Sequence, residues 1–176
     1  MSEKTSPAPS QLTKLQERQG LVSYFIFLQA FVAMLGSLYF STYGDIVKNL
    51  SMGNPFPIGE GFVPCELCWF ARILMYPIVF ISAVGMMKED RKFVHYVLPL
   101  ALPGILLEFY HYGLQKLDFP NPFQCTAANP CSALQVDYLG FITIPFLCLM
   151  AFVIIAGLSV YHLVLSREID AVSELD

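Results

Sequence analysis

Charged side chains are scarce in this sequence. They make up 14% of its 176 residues, where a soluble domain of this length carries about 25%. Hydrophobic residues reach 56% and the mean hydropathy is +0.58. The few charges are clustered, which leaves long apolar runs between them. That pattern excludes an ordinary soluble domain and indicates one polytopic membrane domain. The net charge is −4, and no compact basic stripe occurs outside the membrane flanks, so a nucleic-acid partner is excluded. There is no internal repeat and no low-complexity segment. The first apolar run lacks a cleavage site and is too long for a signal-peptide core. Five cysteines and 12 prolines do not make a small secreted disulfide scaffold, because the bilayer-spanning bundle itself supplies the core.

What is present is four apolar runs, at about 21–43, 69–87, 93–112 and 141–163. Each is near the ~20 residues that cross ~30 Å of hydrocarbon. The expected fold is an all-α membrane protein, a four-transmembrane-helix bundle with two extracytoplasmic loops. Residues 1–20 read as a polar cytoplasmic tail, 21–163 as the membrane domain and 164–176 as a second cytoplasmic tail. Orientation follows from basic residues near the helix ends. With the N-terminus inside, the inner segments hold Lys4, Lys14, Arg18, Lys88, Arg91, Lys92 and Arg167, and the outer loops hold only Lys48 and Lys116. Both termini and the Lys88–Lys92 turn are then cytoplasmic. The outer loops are about 44–67 and 113–140, and the first is rich in Gly and Pro, so irregular structure is expected there. Four of the five cysteines lie in these outer loops, where a disulfide persists.

The first pair is Pro64-Cys65-Glu66-Leu67-Cys68-Trp69. A C-x-x-C at a helix start puts both sulfurs within about one turn, close enough for a disulfide. It also sets one sulfur near the unpaired N–H groups and positive dipole end, which favour the reactive thiolate. Arg72 follows Cys68 by four residues and shares its helix face. An arginine inside a span costs ~2.5–3.5 kcal/mol on the lenient insertion scale. It either snorkels to headgroups or serves as a fixed cation beside a thiolate and an electron-accepting ring. The second pair, Cys125 and Cys131, spans a Pro-containing turn with no histidine at ligand spacing, so no metal is expected. It reads as a structural clip or, beside the first pair, as half of a relay. His111 stands one turn from Glu108 and either protonates a quinone oxygen or is an ordinary interfacial residue. Glu108 is left out of the candidate site. His95 and His162 read as interfacial, Cys148 as an inert packing thiol, and Trp69, Phe70, Tyr110 and Tyr112 as an outer aromatic belt.

These residues resemble the disulfide bond formation protein B (DsbB) family, most closely its shorter BdbC-like branch. The resemblance covers roughly residues 20–163. It is carried by 64–77 (PCELCWFARILMYP), 109–115 (FYHYGLQ), 121–125 (NPFQC) and 137–146 (DYLGFITIPF). The order of cysteine pair, arginine, histidine, second pair and last-helix start is the family's order. The resemblance implies an inner-membrane protein disulfide oxidoreductase that supports protein folding. It would re-oxidise an extracytoplasmic DsbA-like thioredoxin-fold partner and pass the electrons to a membrane quinone, ubiquinone or menaquinone. The DsbA–DsbB–quinone system, which keeps the bacterial periplasm oxidising by kinetic means, is the known general case and is not a result of this sequence.

By position, Cys125 would form the mixed disulfide with the partner and pair with Cys131. Cys65 would pair with Cys68 and exchange with the second pair, Cys68 would face the quinone, and Arg72 and His111 would line the quinone site. Gln115 also matches. One departure is that only five residues separate Cys125 from Cys131, where well-known members have a much longer loop. The competing readings are a four-thiolate metal-binding or scaffolding membrane protein, a vitamin K epoxide reductase-like quinone reductase, and a reductase running in the opposite direction.

Overall fold

The structure is a computed structural model that describes residues 9–57, 59–117, 119–120 and 130–174. Five helices are present among them: α1 (Pro9–Tyr43), α2 (Ile46–Ser51), α3 (Glu66–Met87), α4 (Val94–Lys116) and α5 (Ile144–Ser173). The four long ones are each apolar and long enough to cross a membrane. No strand occurs among the described residues, and an isolated bridge joins Tyr138 to Ile142. This is the expected four-helix membrane bundle.

The helices outrun the apolar runs that announce them. At 1.5 Å per residue, a 35-residue α1 is about 52 Å long, well beyond the hydrocarbon thickness. Residues 9–20 and 164–173, read from composition as polar tails, are helical. Their polar side chains meet each other and the α3–α4 turn: Gln19 Nε2 donates to Ser166 Oγ at 2.5 Å, and Arg91 lies 3.6 Å from Asp170. Around the bundle the order is α1, α3, α4, α5, each packed on its two neighbours. The α3–α5 diagonal touches only lightly and α1 does not meet α4. Ile26, Ile78, Val97, Phe152 and Ile155 are wholly buried at its centre. Gly104 lets α4 close on α5, since a Cβ there would come within 2.5 Å of the Phe152 ring. The outer surface is apolar, with Phe80 67% and Leu106 72% exposed, as a lipid-facing surface requires.

Local sequence explains where the helices begin. Pro64 holds the chain extended, and Cys65 then caps α3 with its sulfur. Thr143 caps α5, its Oγ1 accepting from the Phe146 N–H at 3.4 Å, and Pro145 occupies the first turn, where no N–H is needed. Pro77, Pro99 and Pro103 lie inside helices, which bilayer-spanning helices tolerate.

Both cysteine-bearing loops sit at the same end of the bundle. The Tyr138 hydroxyl donates to the Asp45 carboxylate, and Gln135 Nε2 donates to the Val63 carbonyl at 3.1 Å. The Gly/Pro-rich first loop is less irregular than its composition suggests. Asp45 caps the short α2 by accepting from the Val47 and Lys48 N–H groups. The segment after α2 folds back on α1, with the Phe62 N–H on the Phe40 carbonyl at 2.9 Å and Phe56 against Tyr39 and Tyr43. His162 is buried against Phe93 instead of interfacial. His95 is exposed, as expected.

Candidate functional site

The loop end of the bundle is where the packed core gives way to an open interior. Because α1 and α4 do not meet, the four helices leave a cavity of about 300 Å³ there. That is at the lower end of the ~300–1,000 Å³ of small-molecule sites. Its walls are mostly apolar, and a few polar groups converge on it: Ser37 from α1, Cys68, Arg72 and Tyr76 from α3, and Glu108 and His111 from α4. Cys148 lines it from α5.

Cys65 is the N-cap of α3, and its Sγ accepts from the Cys68 N–H at 3.4 Å. Both Cys65 and Cys68 are free thiols in this structure. Their sulfurs touch at 2.9 Å. The Cys65 sulfur also lies 3.6 Å from His111 Nε2. These neighbours pull the Cys65 thiol down to about 4. The hydrogen bond from the Cys68 thiol has the largest effect, and His111 adds to it against an opposing penalty from burial. The two sulfurs thus differ: Cys65 holds charge at the helix terminus, and Cys68 faces the cavity.

Arg72 does not snorkel. Its Nε donates to Ser37 Oγ at 2.9 Å and its Nη2 to the Ser37 carbonyl at 3.1 Å. Its guanidinium carbon lies 5.2 Å from the Trp69 ring centroid. Among the described residues no carboxylate is within ion-pair distance, so a full positive charge stands at the cavity wall. His111 is 2% exposed, and its Nδ1 lies 3.5 Å from the Glu108 carboxylate. It is therefore an interior group and not an interfacial one. Glu108, omitted from the sequence-based site, belongs here. Its spacing to His111 was a visible signal, but nothing in the sequence said that this face turns inward. Ser37 and Tyr76 were missed outright, because no motif marks them. Among the described residues the Tyr76 hydroxyl is buried without a hydrogen-bond partner, a costly state unless something fills the cavity.

Cys131 approaches from the other side. It is 1% exposed, disulfide-bonded, and packs in one cluster with Cys65, Leu67 and Leu114. A narrow gap is lined by Cys65, Cys68, His111, Gln115 and Cys131 together. Gln115 steadies this loop, its Nε2 donating to the Ala133 carbonyl at 3.1 Å. Cys125 lies outside the described residues.

The ligand atoms of Cys65, Cys68 and His111 lie within 4.8 Å of one another, which raises the metal reading again. Zinc–sulfur bonds of ~2.3 Å at tetrahedral angles hold two sulfurs about 3.8 Å apart. The observed 2.9 Å is shorter by nearly an ångström. The geometry is poised for a sulfur–sulfur bond.

The profile of the family described as "Disulfide bond formation protein DsbB" matches residues 50–162. Disulfide bond formation protein C of Bacillus subtilis (strain 168) is 42% identical over 75% of this chain and 85% of its own length. The probable disulfide formation protein of Oceanobacillus iheyensis is 38% identical over 89% of this chain and 97% of its own. A probable disulfide formation protein of Coxiella burnetii is 34% identical over 76% and 81%, respectively. No solved structure matches.

Proposed function

The chain belongs to the DsbB family of disulfide bond formation proteins and is an integral membrane disulfide oxidoreductase, and on that premise we propose that it carries electrons from an extracytoplasmic thioredoxin-fold partner to a membrane quinone. One observation carries this reading. The Cys65/Cys68 pair stands between a buried cysteine of the second loop and a cavity lined by the Arg72 guanidinium. A relay needs this arrangement: one side of the pair faces a thiol donor and the other faces an acceptor.

The Cys125–Cys131 disulfide oxidises the partner's dithiol. Sulfur–sulfur exchange then moves two electrons and two protons from Cys125/Cys131 to Cys65/Cys68 by way of the gap that Cys131 shares with them, with Cys65 as the exchanging member. A bound quinone supplies a two-electron, two-proton acceptor, and the cavity residues fit its ring. Apolar side chains of the cavity would hold its ring, and Arg72 and the Tyr76 hydroxyl would offer donors to its oxygens. Cys68 lines the same cavity, and closing the Cys65–Cys68 bond would supply the electrons. A partner as oxidising as DsbA, at about −120 mV, requires a stronger acceptor, and every ~30 mV of separation is worth ~1.4 kcal/mol for two electrons. The excess of Lys and Arg at the opposite end of the bundle supports placing the cysteine loops outside the bacterial cytoplasmic membrane.

The test combines purified protein, a short-chain quinone and a reduced thioredoxin-fold partner, with quinone absorbance as the readout. Turnover should require Cys65, Cys68, Cys125 and Cys131. Full turnover in Cys65→Ser/Cys68→Ser, or stoichiometric zinc with thiols inert to the partner, would sink the relay.

A further inference from the structure

The quinone-reducing half of the proposed relay is balanced in protons. The Cys68 thiol, the Cys65 thiolate and the proton that this thiolate has passed to His111 together supply two electrons and two protons as one sulfur–sulfur bond forms, and the quinone takes up both to become the quinol. No proton need come from water, provided the site can move those on Cys68 and His111 to the acceptor. The Cys68 proton starts at the cavity wall. The second proton starts on the His111 ring, whose Nε2 lies 3.6 Å from the Cys65 sulfur at the helix cap.

We propose that Glu108 is the proton carrier for this second proton, receiving it through His111 and holding it at the cavity wall for the acceptor. The proposal rests on the quinone-reducing function argued above. Imidazole takes a proton on one ring nitrogen and releases one from the other. His111 Nε2 is 3.6 Å from the Cys65 sulfur and Nδ1 is 3.5 Å from the Glu108 carboxylate, distances that tighten when a site is loaded. Glu108 is 1% exposed and is the single carboxylate lining the cavity among the described residues. A buried carboxyl within a spanning helix is a costly placement that calls for a use.

The other ionisable groups facing the cavity cannot substitute. Arg72 on α3 is held to Ser37 and does not give up its proton. Among the described residues Cys65 hydrogen-bonds to Cys68 and His111, not to Tyr76 on α3 or Cys148 on α5, and α1 contributes no titratable group at the cavity. Of these groups, His111 pairs with both Cys65 and Glu108.

Glu108→Gln keeps the side-chain shape and an oxygen that accepts from Nδ1–H, but it cannot carry a proton. The reduced full-length protein in lipid nanodiscs is mixed with ubiquinone-1 and followed in a single turnover, with a pH-indicator dye in the buffer. General acid–base groups contribute about 10²–10⁴-fold, so the Gln variant should reduce quinone at least about tenfold more slowly. It should show an unchanged half-saturating quinone concentration and a transient release of protons to the buffer that the wild type lacks. Glu108→Asp, which restores an ionisable group, should recover part of the rate and suppress the transient. If the Gln variant does not fold, Asp against wild type provides the comparison, and the shorter carboxylate must slow the step without weakening quinone binding. A Gln variant with wild-type rate and no proton transient overturns the role of Glu108. A wild type that reduces no quinone overturns the wider function instead.

Discussion

Replacing Cys68 by alanine in the reduced protein removes the thiol that does most to hold Cys65 down from about 9 to about 4. The consequence can be worked through with ordinary thiol chemistry. At pH 7 a thiol of pKa 9 is about 1% ionised, and one of pKa 4 is wholly ionised, a gain of about two decades in thiolate. Intrinsic nucleophilicity falls with pKa at a Brønsted slope of ~0.4–0.5, so five units cost about 2–2.5 decades. The two effects cancel at pH 7, where a rate comparison would show nothing. At pH 5 the ordinary thiol is only about 0.01% ionised, while Cys65 stays largely thiolate. The net advantage is then about 30- to 100-fold.

The assay is iodoacetamide labelling of Cys65 from pH 4 upward, in reduced protein without quinone, quantified by mass spectrometry of its peptide. Burial slows labelling at every pH, so the shape of the profile is the readout. Wild-type labelling should hold nearly level from neutral pH down to about 5, and Cys68→Ala should move the midpoint up by several units. His111→Ala should move it less, because His111 is the smaller cause. The sign for redox poise follows. A depressed thiol pKa stabilises the reduced pair fully above the ordinary value of 9, and that stabilisation is lost as pH falls through about 4. The pair should therefore lose its added oxidising strength in acid. A wild-type labelling midpoint near 9 would refute the account of Cys65.

Arg72→Ala removes the guanidinium that lines the cavity. Quinone use should weaken at least about tenfold, as expected for a lost charge-assisted hydrogen bond of ~1.5–3 kcal/mol, and exchange with the partner should continue; steady-state kinetics with varied quinone checks this. Gly104→Ala drives a methyl group into the Phe152 ring, and overpacking of this kind costs about 1–3 kcal/mol. Its thermal unfolding midpoint in detergent should fall, and an unchanged midpoint would mean that the α4–α5 contact is looser than it is drawn.

Much of this was legible in the sequence, and the reason lies in how each feature is encoded. Spans are written in composition, and a helix cap in a few adjacent residues, so the four helices and the placing of Cys65 at a helix start could both be read directly. Arg72 was legible as a problem, since a charge within a span needs a partner. Its solution was not, because Ser37 sits 35 positions away on another helix with nothing local to mark it. Glu108 and Tyr76 were hidden for the same reason. Which face of α3 or α4 turns inward depends on the cyclic order of the helices, and four apolar segments of similar hydropathy do not state that order. The polar extensions of α1 and α5 were read as tails because span length follows hydrophobicity, whereas helix length here follows contacts between polar ends beyond the bilayer.

The position of the cavity also accounts for why the chain tolerates so many polar groups in a membrane domain. A bundle with both diagonals and all four neighbouring pairs in contact would have no room for Arg72, Glu108 and His111, and each would have to reach water or lipid headgroups. Here the packing is divided along the helix axes. Ile26, Ile78, Val97, Phe152 and Ile155 close the centre, and the α1–α4 diagonal stays open at the loop end. The stability of the domain can then rest on the closed part, leaving the open part free to hold Arg72, Glu108 and His111. Cys65 and Cys68 sit on the boundary between these regimes: the helix cap fixes one sulfur by local backbone geometry, and the next turn delivers the other to the cavity. Moving the second cysteine by one position would swing its sulfur about 100° around α3, away from both Cys65 and Arg72. The C-x-x-C interval and the cysteine-to-arginine interval are therefore one constraint, both set by the turn of a single helix.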